Sequence, residues 1–188
     1  MSPSSPSSPF TYFVLTAVGT DRVGIVEDLA NLVAARAGNI EESKMAVLGG
    51  EFAAVMLVAM AQADLERLEA GLASAAASLD LRLELKRTRQ PEPVRDGRPY
   101  FLETVSLDTP GIVHAVTALL KQHGISIEEL ETETQPAPWT GAPMFRMRAT
   151  LILGPQVAVA RLRTELSDLG AGMDLEVSLK AAFNAPPE

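Results

Sequence analysis

"GTDRVGIVEDLANLVAARAGNI" spans Gly19–Ile40, and it opens like an anion loop: glycine, an acid, a base, glycine, then a helix. The chain says nearly the same thing again further on. Asp21-Arg22-Val23-Gly24-Ile25-Val26 is matched by Asp108-Thr109-Pro110-Gly111-Ile112-Val113, an offset of 87 residues that still holds where Ile40-Glu41-Glu42 meets Ile127-Glu128-Glu129. Such a repeat decides the architecture ahead of any single motif, because two matching units call for one shared fold.

Between the anchors lies an amphipathic helix in each copy. Ile25, Val26, Leu29, Leu32 and Val33 share one face, and the same offset yields Ile112, Val113, Val116, Leu119 and Leu120. Spacings of three and four mark a helix with one buried stripe, which predicts helices over Val23–Ala37 and Pro110–His123. Asp21 and Asp108 stand where N-caps belong, and Pro110 suits a first helical turn. Gly38 and Gly124 read as the glycines that end each helix, one residue apart in register.

Strands are predicted at Asn39–Leu48 and Ser126–Thr134, then at Glu51–Met60 and Met144–Leu153. "LGGE" at 48–51 is a tight hairpin turn, whereas the second copy has the longer "QPAPWTGAP", Gln135–Pro143. A second helix carries Leu65, Leu68, Leu72 and Leu79 in copy one, and Val159, Leu162, Leu166 and Leu169 in copy two. The first three of those pairs sit at an offset of 94, so copy two gains a net seven residues in the loop region. Each copy closes on a strictly alternating strand, with Leu81, Leu83 and Leu85 or Leu175, Val177 and Leu179 facing inward. Opening strands at Phe10–Val18 and Tyr100–Leu107 complete the order βαββαβ twice. The fold class is α+β, two ferredoxin-like sandwiches with helices on one face of each antiparallel sheet. The expected organisation is a Ser/Pro tail at 1–9, domain 1 at 10–89, an extended linker at 90–99, domain 2 at 100–183 and a tail at 184–188.

Bulk properties narrow the function. The chain of 188 residues carries a net charge of −8 and no cysteine. Both halves are acidic, which opposes direct nucleic-acid binding. Lack of cysteine excludes thiol catalysis, disulfides and cysteine-ligated zinc, and is compatible with a reducing cytoplasm. "MSPSSPSSPF" has neither the basic nor the apolar region of a signal peptide. No apolar run reaches the roughly 18 residues of a spanning helix. A soluble, cytoplasmic protein without membrane contact is expected.

Catalytic motifs do not assemble. No Gly-Lys-Ser/Thr follows the glycine loop, so a nucleotide-phosphate reading fails, and the full dinucleotide fingerprint is absent. Glu129, Glu131 and Glu133 would share one face of a strand, but no histidine joins them, and a solvated acidic face is expected rather than a metal site. His114 and His123 are expected at the surface. Trp139 sits in the inserted loop, and the expectation is that it folds back as a lid on its own domain. No cofactor is implied.

These motifs resemble the ACT domain. The resemblance rests on Asp21–Val26 and Gly38-Asn39-Ile40, repeated through Asp108–Val113. Two such units over nearly the whole chain resemble the glycine cleavage system transcriptional repressor family. The resemblance implies a non-enzymatic sensor that binds an amino acid such as glycine, often at interfaces between ACT units, and modulates a transcription-factor partner that itself holds the DNA. A rival is an ACT fragment or regulatory subunit related to formyltetrahydrofolate deformylase, although no hydrolase domain is expected within these 188 residues.

The candidate ligand residues are Asp21, Arg22, Gly24, Ile25, Asn39 and Ile40, with Asp108, Gly111 and Ile112 in copy two. A helix N-terminus leaves N–H groups free for a carboxylate, and Asn39 offers both a donor and an acceptor for the amino end. The two are expected to converge on one ligand. Copy two has Ser126 in place of Asn39. Open sheet edges point to a homodimer.

Overall fold

The computed structural model describes residues 10–89 and 97–182, so the tails and residues 90–96 of the expected linker lie outside the described residues. The chain divides into two compact units, Met1–Pro93 and Val94–Glu188.

In domain 1 the order is β1 (Phe10–Thr20), α1 (Ile25–Ala34), β2 (Asn39–Leu48), β3 (Glu51–Ala61), α2 (Gln62–Leu79) and β4 (Arg82–Thr88). Domain 2 repeats it with β5 (Arg98–Leu107), α3 (Ile112–Gln122), β6 (Ser126–Pro136), β7 (Pro143–Leu153), α4 (Val159–Met173) and β8 (Glu176–Ala181). Strand orders are β2-β3-β1-β4 and β6-β7-β5-β8, all pairs antiparallel. Arg98 and Pro99, expected in the linker, are the first residues of β5.

The sandwich forms because alternate strand residues and one stripe of each helix are apolar. In domain 1 Phe13, Leu15 and Ala17 of β1, Phe52, Ala54, Met56, Val58 and Met60 of β3, Ile25, Leu29 and Val33 of α1, and Leu65 and Leu68 of α2 close one core. Domain 2 closes the matching core around Leu102, Ile112, Val116, Leu120, Met147, Leu151, Leu162 and Leu166. Val26 and Val113 fit the helical period but are exposed, because Ile25 and Ile112 take the inward position at the start of each helix.

The helix ends correct several expectations. Asp21 and Asp108 are not N-caps. The N-caps are Gly24 and Gly111, at φ 89° and 98°, and neither helix has a side-chain cap. Pro110 precedes the helix rather than opening it. At the other end the left-handed residues are Ala37 and Gly124, at φ 52° and 64°. These two keep the offset of 87, so the supposed one-residue difference in register vanishes. Gly38 has another reason to be glycine: a Cβ there would lie 2.7 Å from Met60 Cε and 2.8 Å from Val33 Cγ1.

The hairpins place the insertion. Leu48 pairs with Glu51 across Gly49 and Gly50, while Gln135 pairs with Met144 and Pro136 with Pro143. Six of the seven extra residues therefore lie in the second hairpin, and the seventh lies between β7 and α4. The longer loop is held by Ala137 N–H to the Ala142 carbonyl at 2.8 Å and Gly141 N–H to the Ala137 carbonyl at 2.9 Å. Trp139 at its tip is 97% exposed, so it is not a lid.

Candidate functional site

The loop between β1 and α1 is built by backbone contacts. Asp21 donates its N–H to the Gly50 carbonyl at 2.9 Å, which ties the loop to the β2–β3 hairpin. The chain then turns through fully exposed Val23 to Gly24. The Gly24 carbonyl accepts from Asp28 N–H at 3.0 Å and so starts the helix. A Cβ on Gly24 would meet nothing within 4 Å. Glycine is required there for its left-handed backbone, and the space above it is open.

Arg22 crosses the mouth of the loop. Its Nη2 donates to the Leu79 carbonyl at 3.2 Å and stands 2.7 Å from Asp28 Oδ2. Ile25 is buried, so only its backbone can serve a ligand, and its N–H reaches the Arg22 carbonyl at a long 3.5 Å. First-turn N–H groups without side-chain caps and the positive helix end favour an anion here, while the carboxylates of Glu27 and Asp28 in the same turn oppose one. Val23 and Val26 are exposed apolar residues of this loop and helix start, and Val26 leaves the buried stripe that the periodicity assigned it to. A polar cleft at the same end of the sheet is lined by Thr20, Glu51, Asp80 and Arg82.

Asn39 does not join this loop within its own domain. It pairs with Ala59 at one end of the sheet, while Thr20 and Leu48 both pair with Glu51 at the other. Helix α1 of 10 residues separates the two ends by about 15 Å. Asn39 is exposed and donates to Glu41 Oε1 at 2.8 Å. Ile40 packs half-buried against the core. The expected convergence of Gly24 and Asn39 in one domain is therefore corrected.

Domain 2 reproduces the loop with different side chains. Asp108 N–H donates to the Pro143 carbonyl at 2.9 Å, and Gly111 accepts from Ala115 N–H at 2.9 Å. Thr134 Oγ1 contacts Asp108 Oδ2 at 3.4 Å. Thr109 replaces the cation Arg22, Ala115 replaces Asp28, and Ile112 is buried like Ile25. His123, expected at the surface, is largely buried and bonds Glu165 at 2.7 Å between Nε2 and Oε2. The Arg161 guanidinium, and then His123, hold the Glu165 carboxyl below the ordinary carboxylate range. Glu133 of the acidic strand faces Arg148 at 3.3 Å and Arg146 at 4.0 Å.

An ACT domain profile matches residues 11–86. The glycine cleavage system transcriptional repressor of Escherichia coli (strain K12) is 35% identical over 140 residues, 74% of this chain and 73% of that protein. This chain belongs to the glycine cleavage system transcriptional repressor family. Among solved structures, an unknown protein from Galdieria sulphuraria superposes with a TM-score of 0.76 at 33% identity, covering 93% of this chain and 99% of that one. A candidate glycine cleavage system transcriptional repressor superposes with a TM-score of 0.73 at 26% identity, covering 94% and 100%. Both domains are thus ACT units of a regulatory family, and the relatives favour that reading over the deformylase one. Among the described residues no helix is long and apolar enough to cross a membrane.

Proposed function

We propose that this chain is a non-enzymatic regulator that binds an amino acid, glycine foremost, and passes its occupancy to a transcription-factor partner. One observation carries the reading: α1 opens at a glycine with φ 89°, with no side-chain cap and open space above it. The ligand carboxylate sits on the N–H groups of that turn, beside Gly24 and Ile25, with Asp21 anchoring the loop and Arg22 guarding its mouth. Asn39 and Ile40, at the far end of α1, reach the same ligand only from a second chain. The complete site therefore takes a homodimer. In domain 2 Thr109 and Ser126 stand for Arg22 and Asn39, so the loop of Asp108, Gly111 and Ile112 binds more weakly.

The family supports the transcriptional direction, and the net charge of −8 supports a partner that holds the DNA in this chain's place. Thermal or chemical unfolding of the full chain with the common amino acids tests the reading. A ligand at a hundred times its dissociation constant adds about 2.7 kcal/mol of stability. The expected result is stabilisation by glycine or a close analogue. No stabilisation by any of them contradicts the effector assignment, and a gel shift of DNA by this chain alone at low salt contradicts the indirect route.

A further inference from the structure

The two sheets turn like faces to their helices and unlike faces away from them. On the far side of the domain 1 sheet, Val14 pairs with Leu57, Thr16 with Val55 and Val18 with Ala53. Val18 and Val55 are 45% and 52% exposed. Domain 2 puts Arg146, Arg148 and Glu103 on the corresponding face, where Arg148 meets Glu133 and Arg146 lies 3.8 Å from Glu103. A charged ladder keeps that second face solvated. The first face is an apolar strip without one, and contiguous apolar surface of this kind marks an interaction site.

Charge stands at the two margins of the domain 1 strip, in a regular order. Reading straight across the strands, one row is Lys44–Val55–Thr16–Glu84 and the next is Glu42–Leu57–Val14–Lys86. These two rows end in opposite charges with the sign reversed between them, while the third row, Ala46–Ala53–Val18–Arg82, is charged at one end only.

We propose that two copies of the chain associate through this face, sheet against sheet, about a two-fold axis parallel to the strands. Such an axis keeps every row level with itself and exchanges its ends, so β2 of one copy lies over β4 of the other. Lys44 then faces the partner's Glu84, and Glu42 faces the partner's Lys86, on both sides of the apolar strip. Symmetry fixes this register, so no sliding is needed to reach the match. Aligned sheets pack at about 10 Å with strands within about 30° of each other, a gap that lysine and glutamate side chains span at the rim. The face lies on the side of the sheet opposite α1, and its use leaves the backbone edges of β2 and β4 free. This contact differs from the one the effector site needs, because about this axis the partner's Asn39 stays at the far end of the sheet from Gly24; the charge-pair rescue tests this face alone.

Sedimentation equilibrium of the full chain at micromolar concentrations tests it. Without added amino acid, wild type is expected at twice the 20.0 kDa chain mass. Val55→Arg, which installs the residue type domain 2 carries at Arg148, is expected to weaken the dimer by at least about tenfold. Lys44→Glu and Glu84→Lys are each expected to weaken it about tenfold, and the double variant to return within about threefold of wild type. Lys44 and Glu84 stand three strand spacings apart, about 14 Å, so they cannot pair inside one chain. Only a partner copy can produce the rescue. If Val55→Arg fails to fold by circular dichroism, the charge reversals at exposed positions carry the test. A monomeric wild type, a folded Val55→Arg that dimerises like wild type, or a double variant no better than the singles overturns the proposal.

Discussion

After its first helix, domain 1 turns through Ala37 and Gly38, whereas domain 2 turns through Gly124 and Ile125. The backbone does the same thing in both: the first residue of each pair is left-handed, at φ 52° and 64°. The side chains exchange work. Alanine takes the strained conformation in one domain and glycine takes it in the other. The next position is empty in domain 1, where Met60 reaches into the space, and is filled by buried Ile125 in domain 2, where Leu153 stands in the strand position of Met60. The frame is set by the path of the backbone and the total volume of the core, and the residue at any one position is free to vary within that limit.

The exchange can be broken from either side. Ile125→Ala deletes a buried side chain and is expected to cost about 3 kcal/mol in urea unfolding. Gly38→Ile puts the domain 2 residue where Met60 and Val33 already are, and the overpacking is expected to cost about 2 kcal/mol. Adding Met60→Ala to Gly38→Ile should recover part of that loss. A Gly38→Ile chain as stable as wild type would show that Met60 does not occupy the space.

A second difference lies in the central strands. Thr104 of β5 is fully buried, and its Oγ1 has no hydrogen-bond partner among the described residues; domain 1 has Ala17 at the equivalent place. Thr104→Val removes the unpaired hydroxyl and is expected to stabilise by about 1 kcal/mol. A destabilised variant would mean that the hydroxyl is paired in solution. Smaller again is Ala37→Gly. Relief of the left-handed strain outweighs the extra freedom of the unfolded chain by roughly 0.5 kcal/mol. Loss of stability there would point to a different turn in solution.

The smallest expected effect concerns acid. Glu165 is held below the ordinary carboxylate range by Arg161 and His123, while domain 1 has Gly71 at that position, facing Arg36. A carboxyl depressed in the folded state adds stability above its unfolded pKa and loses it as pH falls through the folded value. Glu165→Gln should therefore lower stability near neutrality and leave it unchanged at strongly acidic pH. A deficit that persists undiminished into acid would assign the loss to packing.

Much of this frame was legible in the sequence, for physical reasons that also mark where reading stopped. The offset of 87 and the alternation of Leu81, Leu83 and Leu85 report burial, which acts residue by residue. Helix starts were misread because Asp21 and Asp108 have the chemistry of caps, but the chain turns at Gly24 and Gly111, where the backbone alone begins the helix. Asn39 and Gly24 are joined by one helix in sequence, and that same helix holds them apart in space. The pairing of His123 with Glu165 joins the turn after α3 to α4, and no local pattern announces it. The contrast between the two sheet faces away from the helices was open to view in the alternation of β3 and β7, once their register was known.

The effector site is tested most directly by calorimetric titration of glycine into the full chain, with Gly24→Val and Gly111→Val as a matched pair. Both substitutions place a β-branched residue at a backbone φ of 89° or 98°, and a Cβ at either site meets nothing within 4 Å. The strain is alike, so a difference in binding reports on the loop itself. Folded Gly24→Val is expected to lose at least about tenfold in affinity, with Gly111→Val within about twofold of wild type. If folded Gly24→Val binds glycine as tightly as wild type does, the opening of α1 is a structural turn and the effector binds elsewhere.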